Sequence, residues 1–80
     1  MNRDEAYEIF KATAVEVLAV PADKVTLEAK FADDLDADSL DLVEFVMALE
    51  EKFDVSVPEE ELEGVDTIGK AFELVLGKLG

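Results

Sequence analysis

Apolar side chains recur at helical spacing in separate stretches of this chain, and each stretch carries its own start and stop signals. In the first, Ala6, Phe10, Thr13, Ala14, Val17 and Leu18 share a face while Glu5, Glu8 and Glu16 lie off it. Asn2, three residues before Glu5, can satisfy orphan backbone donors, so a helix is predicted to open there and to stop by Pro21. From Ala22 to Ala37 no period is sustained; Val25, Leu27, Phe31 and Leu35 are scattered among charges and are expected to pin a long loop. Asp38 can cap a second helix that enters at Ser39 and runs to about Lys52, with Leu42, Phe45, Val46, Leu49 and Phe53 as its core stripe. Pro58 followed by Glu59, Glu60 and Glu61 suits the first turn of a short third helix ended by Gly64. Asp66 or Thr67 can cap a last helix whose apolar face is Ile68, Ala71, Phe72, Leu74, Val75 and Leu79, with Gly69 weakening its first turn. The pattern predicts an all-α fold: a four-helix bundle over residues 1–80, three longer helices and one short, with a long loop between helices I and II.

The second helix is apolar over too much of its circumference. Leu40, Val43 and Met47 form a further line beside the core stripe, leaving Asp41, Glu44, Ala48 and Glu51 as the rest of the surface. That line is either core beneath helices on two sides or an exposed strip ringed by charge, which is what a docking surface needs.

Charge sharpens the choice of partner. With Lys+Arg 7 against Asp+Glu 21 the net charge is −14, which excludes nucleic acid and anionic membrane surfaces as expected partners and calls for basic ones. The 50% hydrophobic content separates the chain from disordered acidic tails. Having no His and no Cys, it lacks imidazole bases, thiol nucleophiles, disulfides and zinc ligands, so no catalytic residues and no metal site are expected. Residues 1–11 do not resemble a secretory signal, and apolar runs such as Phe45–Leu49 fall far short of the roughly 18 residues of a bilayer span, so the expected location is the cytoplasm.

The acidic run Asp33-Asp34-Leu35-Asp36-Ala37-Asp38 resembles the opening of a calcium loop but fails its spacing: counted from Asp34, Ser39 stands where glycine is required and Phe45 where the bidentate glutamate belongs. Ser39 is one of two serines, at the first position of helix II. It is either an ordinary capping-region serine or a hydroxyl whose attached anion would sit at the positive end of the helix dipole. Ser56, between Val55 and Val57, has no helix organised behind it. Between Lys30 and Lys52 there is no base, while Asp33, Asp34, Asp36, Asp38, Asp41, Glu44, Glu50 and Glu51 accumulate around Ser39.

Asp38-Ser39-Leu40 opening a helix that continues Val43-Glu44-Phe45-Val46-Met47-Ala48-Leu49-Glu50-Glu51-Lys52-Phe53 resembles the acyl carrier proteins. Phe31 and Asp34-Leu35 upstream, Val57-Pro58 downstream and the whole length extend the match across the chain. Asp36 departs from it, standing where the family often has glycine; aspartate tolerates such turns. The resemblance implies that Ser39 receives 4′-phosphopantetheine from coenzyme A through a phosphopantetheinyl transferase, and that the thiol of this arm holds acyl groups as thioesters. It implies docking through Asp38, Asp41, Glu44, Glu50 and Glu51, with Leu40, Val43 and Met47 as the apolar part, onto basic patches of a ketosynthase, an acyltransferase and other acyl-processing enzymes of fatty acid or polyketide biosynthesis. Phe31, Leu35, Leu49, Val57, Leu62, Val65 and Ala71 are the candidates for lining an acyl cavity. A monomer serving discrete enzymes is expected, marginally stable and steadied by salt. The alternative is an acidic helical module that binds a basic partner on helix II without modification.

Overall fold

The computed structural model describes residues 2–79. Among them are three α-helices: α1 (Arg3–Leu18), α2 (Ser39–Phe53) and α3 (Ile68–Leu79), with 3₁₀ turns at Ala22–Lys24 and Glu59–Leu62. The expected all-helical fold is therefore present. The short third helix is a 3₁₀ turn rather than an α-helix: it opens after Pro58 (ψ 146°) and the chain is already extended at Glu63 (φ −61°, ψ 129°), one residue before Gly64, so there is room for one turn only, and that turn takes the tighter 3₁₀ form.

Local signals fix the ends of α1 and α2. The Asn2 side-chain oxygen accepts from the Glu5 N–H at 2.8 Å, and Ala19 closes α1 in the left-handed conformation before Pro21 is reached. Asp38 and Asp41 cap α2 reciprocally, each carboxylate accepting from the other's backbone N–H at 2.9 and 3.2 Å. Thr67, not Asp66, caps α3, its hydroxyl accepting from the Lys70 N–H at 3.2 Å.

An aromatic cluster joins the helices. Phe10 of α1 packs edge-on against Phe45 of α2 and Phe72 of α3, with centroids 5.1 and 5.2 Å away, and all three rings are buried. Tyr7 meets Phe72 in the same manner and donates its hydroxyl to the Val25 carbonyl at 2.8 Å. Burial, then the nearby Glu8 and Glu28, push the Tyr7 hydroxyl above its ordinary pKa, so it stays a donor. Ala6, Thr13 and Ala14 complete the buried face of α1, with Val17 and Leu18 half-buried at its end. In α3 Ile68, Ala71, Phe72 and Val75 are buried, whereas Leu74 is half-buried and Leu79 exposed.

The long loop is pinned as expected by Val25, Phe31 and Leu35, all buried. Leu27 is a correction: its side chain is 42% exposed and its carbonyl does the pinning, accepting from the Gly69 N–H at 2.9 Å. Beside it the Ala29 carbonyl accepts from the Ile68 N–H at 2.9 Å and Phe31 N–H donates to the Asp66 carbonyl at 3.0 Å. Orphan donors of the first turn of α3 thus find their acceptors in the loop, which fastens the stretch just before α2 to the start of α3. Asp36 takes a left-handed φ of +53°, the conformation for which glycine is the common choice.

Candidate functional site

Ser39 is exposed at the first residue of α2. Its position follows from the loop before it: the Ala37 N–H donates to the Phe31 carbonyl at 2.7 Å, the Lys30 N–H donates to Asp34 Oδ2 at 2.7 Å, and the capping box then turns the chain into the helix. Asp34 is therefore a turn-closing acceptor rather than the start of a calcium loop. Among the described residues no group of three or more His, Cys, Asp or Glu is placed to hold a metal ion.

Two grooves open beside Ser39 and share Leu42 as a wall. One, of about 340 Å³, runs toward the loop and the start of α3 and is lined by Lys30, Phe31, Asp33, Asp38, Val65 and Asp66 among others. The other, of about 450 Å³, runs toward the 3₁₀ turn and is lined by Val43, Leu62 and the carboxylates Glu59, Glu60 and Glu63. Leu42, read as core from its spacing, is only half-buried, because both grooves reach it. Of the candidate cavity residues, Phe31 and Val65 line the first groove and Leu62 the second. Leu35, Leu49, Val57 and Ala71 line neither and are buried.

Leu40 and Met47 are the most exposed large apolar side chains described, at 65% and 59%, and Val43 between them is half-buried. Glu44 and Glu51 are exposed beside them and Asp41 is half-buried. Glu50, which the sequence grouped with this surface, is half-buried and accepts from the Val57 N–H at 2.7 Å, bracing the chain that leaves α2. A carboxylate seven residues from its backbone donor leaves no periodic trace, so this bond could not be read in advance. Asp66, on the rim of the first groove, is paired with Lys70 at 2.9 Å, and that hydrogen bond holds its carboxyl below the usual carboxylate range.

The balance of charge around Ser39 has a measurable consequence. Raising salt from about 0.01 to about 1 M shortens the screening length from ~30 to ~3 Å. For a chain of net charge −14 the melting temperature is expected to rise by roughly 5 °C or more, as self-repulsion is screened. A midpoint indifferent to salt in a thermal melt would contradict this.

Three helices, an exposed serine opening the capped second helix and two grooves meeting at that serine define a small all-helical domain with a single hydroxyl placed at the mouth of both grooves. Residues 8–75 match the family model described as a phosphopantetheine attachment site. The chain is 48% identical over 79 residues to an acyl carrier protein of Petrotoga mobilis, covering 99% of this chain and 93% of that one. It is 46% identical to one of Thermosynechococcus vestitus, covering 99% and 98%. The solved structure of the acyl carrier protein from Enterococcus faecalis superposes with a TM-score of 0.76 at 31% identity, over 98% of this chain and 99% of that one. The chain belongs to the acyl carrier protein family, whose prosthetic group is 4′-phosphopantetheine. Members of this family carry rather than catalyse. No helix among the described residues is long and apolar enough to cross a membrane.

Proposed function

We propose that Ser39 bears the phosphopantetheine arm and that the exposed side of α2 presents the loaded arm to acyl-processing enzymes. The observation that carries this reading is the setting of Ser39: an exposed hydroxyl at the N-terminus of a capped helix, with two grooves leading from it. An ester between Ser39 Oγ and the arm's phosphate leaves one negative charge beside the amino end of α2, where the helix dipole favours it. The thiol at the far end of the arm supplies the thioester chemistry that a chain without Cys cannot. Tethering raises the effective concentration of the acyl group at whichever active site the domain has docked.

On this reading Leu40, Val43 and Met47 are the apolar centre of the docking surface and Asp38, Asp41, Glu44 and Glu51 steer basic patches toward it. Glu50 lies at the end of the same surface beside Met47 and Glu51 and braces it through its bond to the Val57 N–H. A phosphopantetheinyl transferase, a ketosynthase and an acyltransferase of fatty acid or polyketide biosynthesis are the partner classes, met by a single monomeric carrier domain in the cytoplasm. Each contact is brief, which suits a small, charge-steered interface. Phe31, Val65 and Leu62 give the acyl chain its entrances, and the buried Leu35, Leu49, Val57 and Ala71 are what it must part to withdraw further.

Peptide mapping by mass spectrometry, after incubation with coenzyme A and a broad-specificity transferase, tests the assignment. The expected result is one phosphopantetheine on the peptide containing Ser39. Modification at Ser56 instead would overturn it.

A further inference from the structure

We propose that Lys30 is the positioning residue for the arm's phosphodiester, drawing it into the groove between the loop and the start of α3 rather than toward the 3₁₀ turn. The proposal rests on Ser39 as the attachment point. Once esterified, Ser39 adds an anion to a surface that already carries Asp33, Asp34, Asp36, Asp38, Asp41 and Glu44. Two grooves are open to that anion, and their walls differ in charge. The groove toward the 3₁₀ turn presents Glu59, Glu60 and Glu63 with no base among its lining residues. The groove toward the loop contains Lys30, the one base among the described residues that line either of them.

Two of the three carboxylates lining this loop-side groove are already engaged. Asp38 accepts from the Asp41 N–H, and Asp66 is paired with Lys70 at 2.9 Å. Asp33 is the ion partner of Lys30 itself, but at 4.0 Å with both side chains exposed, a separation and exposure at which an ion pair holds weakly. Lys30 therefore combines a fixed backbone with a side chain held only weakly. Its backbone forms an isolated bridge with Thr67, and its N–H is bound to Asp34, while its ammonium can leave Asp33 for a phosphodiester. A charge-assisted contact from a mobile lysine to a phosphate oxygen suits a point charge on a flexible stem. The apolar part of the same wall, Phe31, Ala37, Leu42 and Val65, offers surface to the uncharged portion of the arm, and about 340 Å³ is within the range of small-ligand sites.

The test uses the full chain and its Lys30→Ala and Lys30→Arg variants, each loaded with phosphopantetheine and checked by intact mass. Lys30 is exposed and its bonds to the fold are made by its backbone, so both variants are expected to fold. The readout is the change in backbone ¹H–¹⁵N chemical shift between the unmodified and loaded forms at low salt. The proposal predicts changes at Lys30, Val65 and Asp66 in the wild type, reduced at least about twofold in Lys30→Ala, retained in Lys30→Arg and diminished by added salt, as a charge contact requires. Loaded protein whose shifts fall on Glu59, Leu62 and Glu63, or whose shifts ignore Lys30→Ala, would overturn the role of Lys30 and leave Ser39 standing. No loading of any form would overturn both.

Discussion

Phe10→Ala is expected to remove about 3–5 kcal/mol of folding stability, against a total of roughly 4–12 kcal/mol for a domain of this length. Phe10 is 0% exposed and is the ring through which α1 touches both Phe45 and Phe72. Truncation loses the transfer energy of the ring, leaves a cavity at the meeting point of three helices and cancels two edge-to-face contacts. No neighbour can fill the space without dragging a helix axis, because Phe45 and Phe72 are themselves buried. Urea denaturation followed by circular dichroism should show the midpoint fall by about 2 M or more, or the cooperative transition vanish. A fall below about 0.5 M would mean that the three helices are not held together through this ring.

Gly69→Ala is expected to destabilise by about 1–3 kcal/mol, although alanine is the better helix former. A Cβ at Gly69 would lie 2.8 Å from the Leu27 carbonyl oxygen, closer than real side chains come. The obstructing atom is backbone, and it is held there by the N–H of Gly69 itself, so it cannot swing aside without breaking the clamp between loop and α3. Steric overlap outweighs helix propensity here. Gly77 is the control: it lies in the same helix with nothing within 4 Å of a built Cβ. Gly77→Ala should therefore stabilise by about 0.5–1 kcal/mol, by propensity alone. Thermal melts should place Gly69→Ala about 5–20 °C below wild type and Gly77→Ala a few degrees above it. Equal shifts of the same sign would show that close approach at Leu27 is not what glycine 69 serves.

The contrast between these glycines also explains what could be read from the sequence. Helix starts were legible because they are written locally: Asn2 with Glu5 and Asp38 with Asp41 satisfy donors three residues away. The core stripes of α1 and α2 were legible because burial imposes a period on the sequence. Gly69 was read as a weakness because its reason lies at Leu27, forty-two residues upstream, and contact between distant backbones has no signature in a single sequence. The same holds for Glu50, grouped with the docking surface by resemblance, whose carboxylate also accepts from the Val57 N–H seven residues on. The short third element was legible only in part, for a different reason: Pro58 and the glutamates do start a turn, but the chain turns extended at Glu63 after one 3₁₀ turn, before an α-helix can form. At the site, Ser39 stood out by its position in a capped helix, whereas the two grooves beside it depend on how the loop and the 3₁₀ turn lie against α2. Asp36 was legible as a turn residue, and its left-handed backbone agrees with that reading.

On the proposed function, one hydroxyl, Ser39, is where this chain becomes a carrier. The most direct measurement is the intact mass of the protein after incubation with coenzyme A and a broad-specificity phosphopantetheinyl transferase, with Ser39→Ala treated in parallel and circular dichroism verifying that both are helical. The expected result is a single added phosphopantetheine on wild type and an unchanged mass for Ser39→Ala. Addition to Ser39→Ala would place the arm on another residue and contradict the assignment of Ser39; no addition to wild type while a control carrier is modified in the same mixture would leave an unmodified acidic module docking through α2.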